Sequence, residues 1–225
     1  MLAAARTRIK ICGLTRPDDI LSAVQAGADA IGLVMYSKSS RALTVDQARA
    51  LRSGVPAFIS VVCLVVNASE SEVMEVIEKV QPDLLQFHGD ESPEYCQRFG
   101  RRYVRAFRIG APGLDSADAV LQQCRLYQSA SAWLFDSYSE GYGGSGRTLD
   151  TSLLQAVQSA DDSRPMILAG GLTPDSVCAS VQKVRPYAVD VSSGVETAPG
   201  IKSPDKIRRF VAAAQAFNLS GVPDC

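Results

Sequence analysis

Apolar, β-branched runs recur eight times along the chain, and a helix-like segment follows each of them. The runs predict strands at residues 9–13, 30–35, 58–66, 84–89, 103–109, 132–138, 166–171 and 188–193. The intervening segments predict helices that begin at Pro17, Val45, Ser69, Ser92, Asp115, Asp150, Pro174 and Ser203. Eight evenly spaced units favour a closed, parallel (β/α)8 TIM barrel of the α/β class. A doubly wound open sheet is the alternative, and the even spacing fits it less well.

Four of the predicted helices carry start signals in the sequence. Thr15, Thr44, Thr173 and Ser203 each place a hydroxyl just before an acidic first turn, in three cases with a proline beside it. We therefore expect these hydroxyls to cap the helices that follow them.

The last two predicted strands end abruptly in small residues. One closes on Gly170 and Gly171, and the other closes on Ser192, Ser193 and Gly194. Such small side chains let backbone N–H groups close around an anion, and the start of a following helix adds positive potential. In TIM barrels the loops after strands seven and eight commonly bind phosphate. The sequence therefore predicts a phosphate monoester as ligand.

Length and charge narrow the class of protein. A chain of 225 residues suits one domain, 1–225, with the barrel at about 9–217 and flexible ends. The 23 basic and 24 acidic residues nearly cancel, which predicts a small-molecule substrate and neither nucleic acid nor membrane as partner. The longest apolar run is too short for a membrane span, and the first six residues do not resemble a signal peptide. We therefore predict a cytoplasmic protein, monomeric or homodimeric.

The cysteine pattern argues against metal binding and against a disulfide framework. Six cysteines are scattered without a CxxC pair, and the chain has one histidine. Most of the cysteines are expected to be reduced, buried thiols, as is usual in a cytoplasmic protein.

A cysteine and an aspartate occupy predicted strand ends at the mouth of the barrel. Cys12 ends the first strand; a cysteine is usually just a small buried apolar residue, but its position across from the predicted phosphate loops favours a chemical role. Asp136 ends an apolar run, where a carboxyl is costly to bury without a task or a partner. An ion pair or a cap is the alternative for Asp136. Together, the thiol and the carboxyl suit proton transfer in both directions. Asp190, inside strand eight, is interpreted as a structural hydrogen-bonding residue.

Three further features could contact a ligand. Arg41, in the loop after strand two, either is solvated or binds a carboxylate through its bidentate fork. For His88, at the end of strand four, ligand positioning and structural hydrogen bonding are equally plausible. The glycine-rich stretch 141–146 predicts a mobile active-site loop.

Seven motifs, taken together, resemble those of the phosphoribosylanthranilate isomerase family of tryptophan biosynthesis. They are KICGLT (10–15), YSKSSR (36–41), QFHGDE (86–91), LFDS (134–137), GGSGRTLD (143–150), LAGGL (168–172) and VDVSSGVETAPGIK (189–202). Each motif is weak alone. All seven in this order, at barrel spacing, are a strong signal.

The resemblance implies an Amadori rearrangement of N-(5-phosphoribosyl)anthranilate to 1-(2-carboxyphenylamino)-1-deoxyribulose 5-phosphate, without metal or organic cofactor. It makes Cys12 the general base, Asp136 the general acid and Arg41 the partner of the anthranilate carboxylate. His88 is a further candidate for substrate binding. The phosphate positions of the family correspond here to Gly144, Ser145, Gly146, Gly170, Gly171, Ser192, Ser193 and Gly194.

Two alternatives compete with this interpretation. The related isomerase of histidine biosynthesis performs the same chemistry with an aspartate pair, and Cys12 at the end of strand one argues against it. A catalytically silent phosphosugar-binding barrel has no need of both Cys12 and Asp136. Acceptance of a second, histidine-pathway substrate stays open.

Overall fold

A closed barrel of eight parallel strands in chain order forms the centre of the molecule. The computed structural model describes residues 6–138 and 149–220; the predicted loop at 141–146 lies outside these ranges. The strands are β1 Arg8–Cys12, β2 Ala30–Val34, β3 Ser60–Val65, β4 Leu84–Phe87, β5 Tyr103–Ile109, β6 Ala132–Ser137, β7 Met166–Leu168 and β8 Ala188–Val191. Pairing of β1 with β8 closes the barrel. The predicted fold class is confirmed.

Helices connect successive strands and cover the outside of the barrel. They are α1 Pro17–Ala26, α2 Val45–Ser53, α3 Glu70–Glu75, α4 Pro93–Gln97, α5 Ala117–Arg125, α6 Gln155–Ser159, α7 Val177–Val184 and α8 Pro204–Ser220. A π-helical turn, Val76–Val80, extends α3, and a 3-10 turn, Thr151–Leu154, precedes α6. After β8 the chain forms a 3-10 turn, Ser193–Val195, and a hairpin of β9 Glu196–Ala198 with β10 Ile201–Lys202.

Two of the predicted helix caps are confirmed. Thr44 Oγ1 accepts a hydrogen bond from the backbone N–H of Gln47, and the Gln47 side chain accepts one from the Thr44 N–H. This reciprocal pair is a capping box at the start of α2. Ser203 Oγ likewise accepts from the N–H of Lys206 at the start of α8.

The other two predicted caps are wrong. The residue before α1 is Arg16, whose side chain makes no capping hydrogen bond. Thr15 does not cap the helix, because its Oγ1 instead donates to the carbonyl oxygen of Gly200 in the β9–β10 hairpin. Helix α7 begins three residues later than predicted, after Ser176. The Thr173 backbone N–H donates to Ser176 Oγ, which stabilises a turn in the segment expected to be the first helical turn.

The strands alternate between two apolar layers. Outward residues such as Ile9 and Ile11 pack beneath the helices in the main core. A smaller apolar cluster fills the barrel interior and consists of Val104, Ala106, Ala132, Leu134, Ile167, Ala169 and Ala188. Because side chains alternate along a strand, Lys10 and Cys12 share the inward face of β1. Polar side chains on that face therefore meet at one end of the barrel.

Four cysteines, Cys12, Cys63, Cys96 and Cys124, are free and buried, as predicted for most of these residues. Within residues 6–138 and 149–220, no helix is both long and apolar enough to cross a membrane. The same residues contain no cluster of three His, Cys, Asp or Glu side chains placed to hold a metal ion.

Candidate active site

A cavity of about 460 Å³ opens at the carboxyl ends of the barrel strands. All the candidate residues that the structure describes line this cavity: Cys12, Arg41, His88, Asp136, Gly170, Gly171, Ser192, Ser193 and Gly194. The remaining three candidates, Gly144, Ser145 and Gly146, lie outside the described residues. The order of strands in a closed barrel brings these distant segments to one mouth.

The sulfur of Cys12 occupies a space that a glycine on the next strand leaves open. Gly32 on β2 pairs with Cys12, and a Cβ atom built on Gly32 would lie 2.6 Å from Sγ. Cys12 itself is only 5% exposed. The absence of a side chain at Gly32 therefore makes room for the thiol, a role that was not predicted from the sequence.

Charged groups surround this buried thiol. Burial raises the pKa of Cys12, the positive charge of Lys10 lowers it, the negative charge of Asp190 raises it, and Lys202 lowers it. Lys10 Nζ donates to Asp190 Oδ2 across 2.7 Å, with both side chains buried. The interpretation of Asp190 as a structural hydrogen-bonding residue agrees with this contact.

Asp136 and His88 face each other across the mouth. Asp136 Oδ1 accepts a hydrogen bond from the N–H of Ser137 at 2.8 Å. His88 Nε2 lies 3.4 Å from Asp136 Oδ2, without the alignment of a hydrogen bond. Gln86 Nε2 lies 3.0 Å from His88 Nδ1. When the Gln86 amide donates, the neutral ring carries its proton on Nε2, beside the Asp136 carboxyl.

Arg41 is not the solvated cation that the sequence left as one alternative. Its Nε and Nη2 donate to Glu196 Oε1 and Oε2, both at 2.7 Å, and its side chain is 13% exposed. The carboxylate that the Arg41 guanidinium binds is therefore the side chain of Glu196, a residue of the protein itself. Neither of these two hydrogen bonds uses Nη1. Binding of a ligand carboxylate by Arg41 stays a prediction, and a bidentate form of it requires Glu196 to move.

Glu196 joins Arg41 to a second buried cation. Lys202 Nζ donates to Glu196 Oε1 at 2.8 Å and to the Ser192 carbonyl oxygen at 3.0 Å. Burial acts to raise the pKa of Glu196, but the hydrogen bonds from Arg41 and Lys202 outweigh it and lower the pKa. The network links the loop after β2, the end of β8 and the β9–β10 hairpin.

Tertiary contacts explain two of the glycines at the predicted phosphate loops. Gly170 has φ +78°, and a Cβ there would lie 2.6 Å from the Ser137 backbone nitrogen and 3.1 Å from Asp136 Oδ1. A Cβ on Gly194 would collide with the carbonyl oxygen of Leu172. Both glycines are therefore required by packing of neighbouring loops, whatever ligand binds between them.

Four polar residues of the site were not predicted from the sequence: Lys10, Gln86, Glu196 and Lys202. A single lysine inside the apolar run of strand one was the available signal, because an isolated charge in a buried strand needs a partner. Glu196 and Lys202 lie inside the motif at 189–202, but nothing local indicates which groups they bind.

A closed parallel barrel with a thiol, a carboxyl and an arginine at the carboxyl ends of its strands defines an enzyme of the (β/α)8 class. Comparison with known proteins then identifies the family. The sequence model of the N-(5′-phosphoribosyl)anthranilate (PRA) isomerase family matches residues 9–213. The chain belongs to this family.

Individual relatives agree. N-(5′-phosphoribosyl)anthranilate isomerase from Bordetella bronchiseptica is 60% identical over 213 residues, which cover 95% of this chain and 98% of the relative. The crystal structure of the isomerase from Thermotoga maritima matches with a TM-score of 0.83 and 36% identity, covering 92% of this chain and 98% of that one. A second isomerase structure, solved with reduced 1-(o-carboxyphenylamino)-1-deoxyribulose 5-phosphate, matches with a TM-score of 0.80 and 33% identity, over 92% and 98%. The predictions of an isomerase, of tryptophan biosynthesis and of a TIM barrel are confirmed.

Proposed function

We propose that this chain converts N-(5-phosphoribosyl)anthranilate to 1-(2-carboxyphenylamino)-1-deoxyribulose 5-phosphate by an Amadori rearrangement in the cavity at the barrel mouth. The observation that carries the proposal is the meeting of Cys12, Asp136 and Arg41 in one cavity. The test is turnover of phosphoribosylanthranilate, followed as the loss of anthranilate fluorescence. No turnover of this substrate would favour the silent barrel, and turnover of only the larger aminoimidazole substrate would favour the histidine-pathway enzyme.

Asp136 opens the sugar ring in this proposal. Its carboxyl enters protonated and donates the proton to the furanose ring oxygen as the C1–O bond breaks. The electron pair of that bond stays on the oxygen, which becomes a hydroxyl, and the anilino nitrogen lone pair forms the C1=N iminium. The Ser137 N–H donates to Oδ1 and holds the carboxyl in place, and His88 Nε2 lies 3.4 Å from Oδ2.

Cys12 then acts on the open-chain iminium. Its thiolate removes the C2 proton, and the C–H electrons form the C1=C2 bond while the iminium nitrogen is neutralised. The iminium makes the C2 proton acidic enough for this step. The resulting enolamine becomes the C2 ketone when C1 takes a proton from the Cys12 thiol and the C2 hydroxyl gives its proton to the Asp136 carboxylate. Both side chains thereby return to their starting protonation states.

The ends of the substrate are held apart from the reacting carbons. The phosphate binds at the small residues after β7 and β8, and the anthranilate carboxylate binds near Arg41. Two anchors at opposite ends restrict the flexible open-chain intermediate to positions near both proton-transfer groups.

Arg41→Lys should weaken carboxylate binding selectively. Lysine keeps a positive charge beside Glu196 but loses the Nη1 donor and the planar fork. We expect inhibition by a carboxylate-bearing product analogue to weaken about 10-fold to 100-fold, as for one charge-assisted hydrogen bond, while inorganic phosphate inhibits as before. Inhibition constants for the two ligands measure this.

The matched control for this substitution is Arg49→Lys, on an exposed position of α2, which should change neither constant. Arg41→Ala is a poorer probe because it would leave the buried Glu196 with one partner fewer. Equal weakening of both ligands in Arg41→Lys would show that Arg41 is structural or belongs to the phosphate site.

Gly32→Ala should impair the reaction without removing any reacting group. The new methyl group would lie 2.6 Å from the Cys12 sulfur, so the thiol must move. A shift of about 1 Å in a reacting group can cost on the order of 100-fold in rate, and we expect at least about a 10-fold fall in kcat. Steady-state kinetics test this against Gly54→Ala, whose Cβ would make only an ordinary 3.7 Å contact with Leu51. An unchanged kcat in Gly32→Ala would mean that the sulfur position does not matter to the chemistry.

A further inference from the structure

A buried thiol that must ionise needs a compensating positive charge, and a buried lysine lies one inward-facing position deeper in the barrel. We propose that Lys10 and Asp190 form a positioning pair for Cys12, in which the Lys10 ammonium, anchored by Asp190, stabilises the Cys12 thiolate. The inference rests on the proposed function, which makes Cys12 the general base.

The closure of the barrel places this pair. In the register of β1 with β8, Lys10 pairs with Asp190, and Nζ donates to Oδ2 at 2.7 Å. The two side chains are 7% and 8% exposed. Lys10 and Cys12 are two residues apart on one strand, so both face the barrel interior. A buried ion pair contributes little net stability compared with apolar residues, so its presence beside a functional thiol invites a role in charge placement.

Four charged groups act on the Cys12 sulfur. They come from four elements: Lys10 on β1, Asp190 on β8, Lys202 on β10 and Arg41 in the loop after β2. Lys202 and Arg41 share one counterion, Glu196, which offsets much of their effect. Burial raises the pKa of the Cys12 thiol, and the charge of Lys10 is the largest of the influences that lower this pKa.

Lys10 stays positively charged despite its burial. Burial acts to lower the pKa of its ammonium, but attraction to Asp190 and to Cys12 outweighs this and raises the pKa. Asp190 therefore has two opposing effects: it keeps Lys10 protonated, and its own negative charge disfavours the thiolate. Only one of its oxygens binds Lys10; the other, Oδ1, is buried and has no hydrogen-bond partner among the described residues.

This arrangement predicts opposite effects from the two members of the pair. Lys10→Met removes the charge but keeps the length of the side chain, and should shift the ionisation of Cys12 to higher pH. Asp190→Asn removes the negative charge that disfavours the thiolate, while the amide oxygen can still accept the hydrogen bond from Lys10 Nζ. This variant should therefore shift the ionisation of Cys12 to lower pH. If the pair had only a structural role, Lys10→Met and Asp190→Asn would both disturb the site in the same way.

The experiment measures the rate of Cys12 alkylation by iodoacetamide across pH, with mass spectrometry to assign the modified cysteine. In Lys10→Met we expect the midpoint to rise by about one pH unit or more, so that the rate at pH 8 falls about 10-fold. In Asp190→Asn we expect the midpoint to fall. Lys183→Met, an exposed lysine of α7, is the matched control and should leave the midpoint unchanged.

Steady-state kinetics should reflect the same change in Cys12 ionisation. Lys10→Met should lower kcat with little change in KM, and raising the pH should restore part of the loss. If Lys10→Met does not fold, the direction of the Asp190→Asn shift still decides. Midpoints that move in the same direction in both variants, or stay fixed in Lys10→Met, would overturn the proposal. Because the alkylation midpoint does not depend on turnover, failure here is distinguishable from failure of the proposed function.

Discussion

Cys12→Ser should fold like the parent chain and lose about 10²–10⁴-fold in kcat, with KM little changed. Serine nearly matches cysteine in size and fits beside Gly32, but its hydroxyl is far too weak an acid to ionise near neutral pH. The substitution leaves the proposed substrate anchors at the two ends of the cavity unchanged, so the loss should appear in kcat. Steady-state kinetics, together with a thermal melt to verify folding, measure this.

The matched control is Cys63→Ser on β3. Cys63 is fully buried beneath the helices, and burial raises the pKa of its thiol to about 12. The substitution should lower the stability of the barrel and leave kcat near the parent value. Turnover near the parent level in Cys12→Ser would remove Cys12 from the mechanism.

The pH dependence of the parent enzyme follows from the same thiol. Since the pKa of Cys12 is raised in the folded protein, its thiolate forms only as the pH rises towards that higher value. The thiol limb of kcat/KM should therefore increase with pH on the alkaline side of the ordinary cysteine range, and it should vanish in Cys12→Ser.

Asp136→Asn should be as damaging as Cys12→Ser. Asparagine preserves the shape of the side chain and can still accept from the Ser137 N–H, but it has no proton of suitable acidity to donate to the ring oxygen. We expect a fall in kcat of about 10²–10⁴-fold. The thiol limb should remain, which separates this variant from a misfolded one.

Asp118→Asn, at an exposed position in the first turn of α5, is the control for the chemical change itself and should leave kcat unaltered. An unaltered rate in Asp136→Asn would mean that the ring-opening acid lies elsewhere. His88 would then be the first candidate, because its Nε2 lies 3.4 Å from the same carboxyl.

Strand positions were predictable because the core imposes a periodic apolar pattern, but strand ends were not. The run at 58–66 predicts a strand two residues too long at its start, and Phe58 instead has φ +70° and a fully exposed side chain. The predicted strand at 166–171 ends at Leu168, because Gly170 and Gly171 have φ +78° and +67°. Apolar composition reports burial propensity, whereas backbone direction at a strand end depends on the loop that follows.

The sequence by itself determined the class of fold, the approximate positions of the strands, and the thiol and carboxyl proposed to react. These features depend on residues close together in the chain, so local patterns and motif order are enough to find them. Tertiary structure alone decided which charges meet. Arg41 binds Glu196, 155 residues away, and Lys10 binds Asp190, 180 residues away. The physical reason is that barrel closure, and not chain proximity, brings β8 and its hairpin beside β1 and the loop after β2, and buried charges then bind the nearest opposite charge.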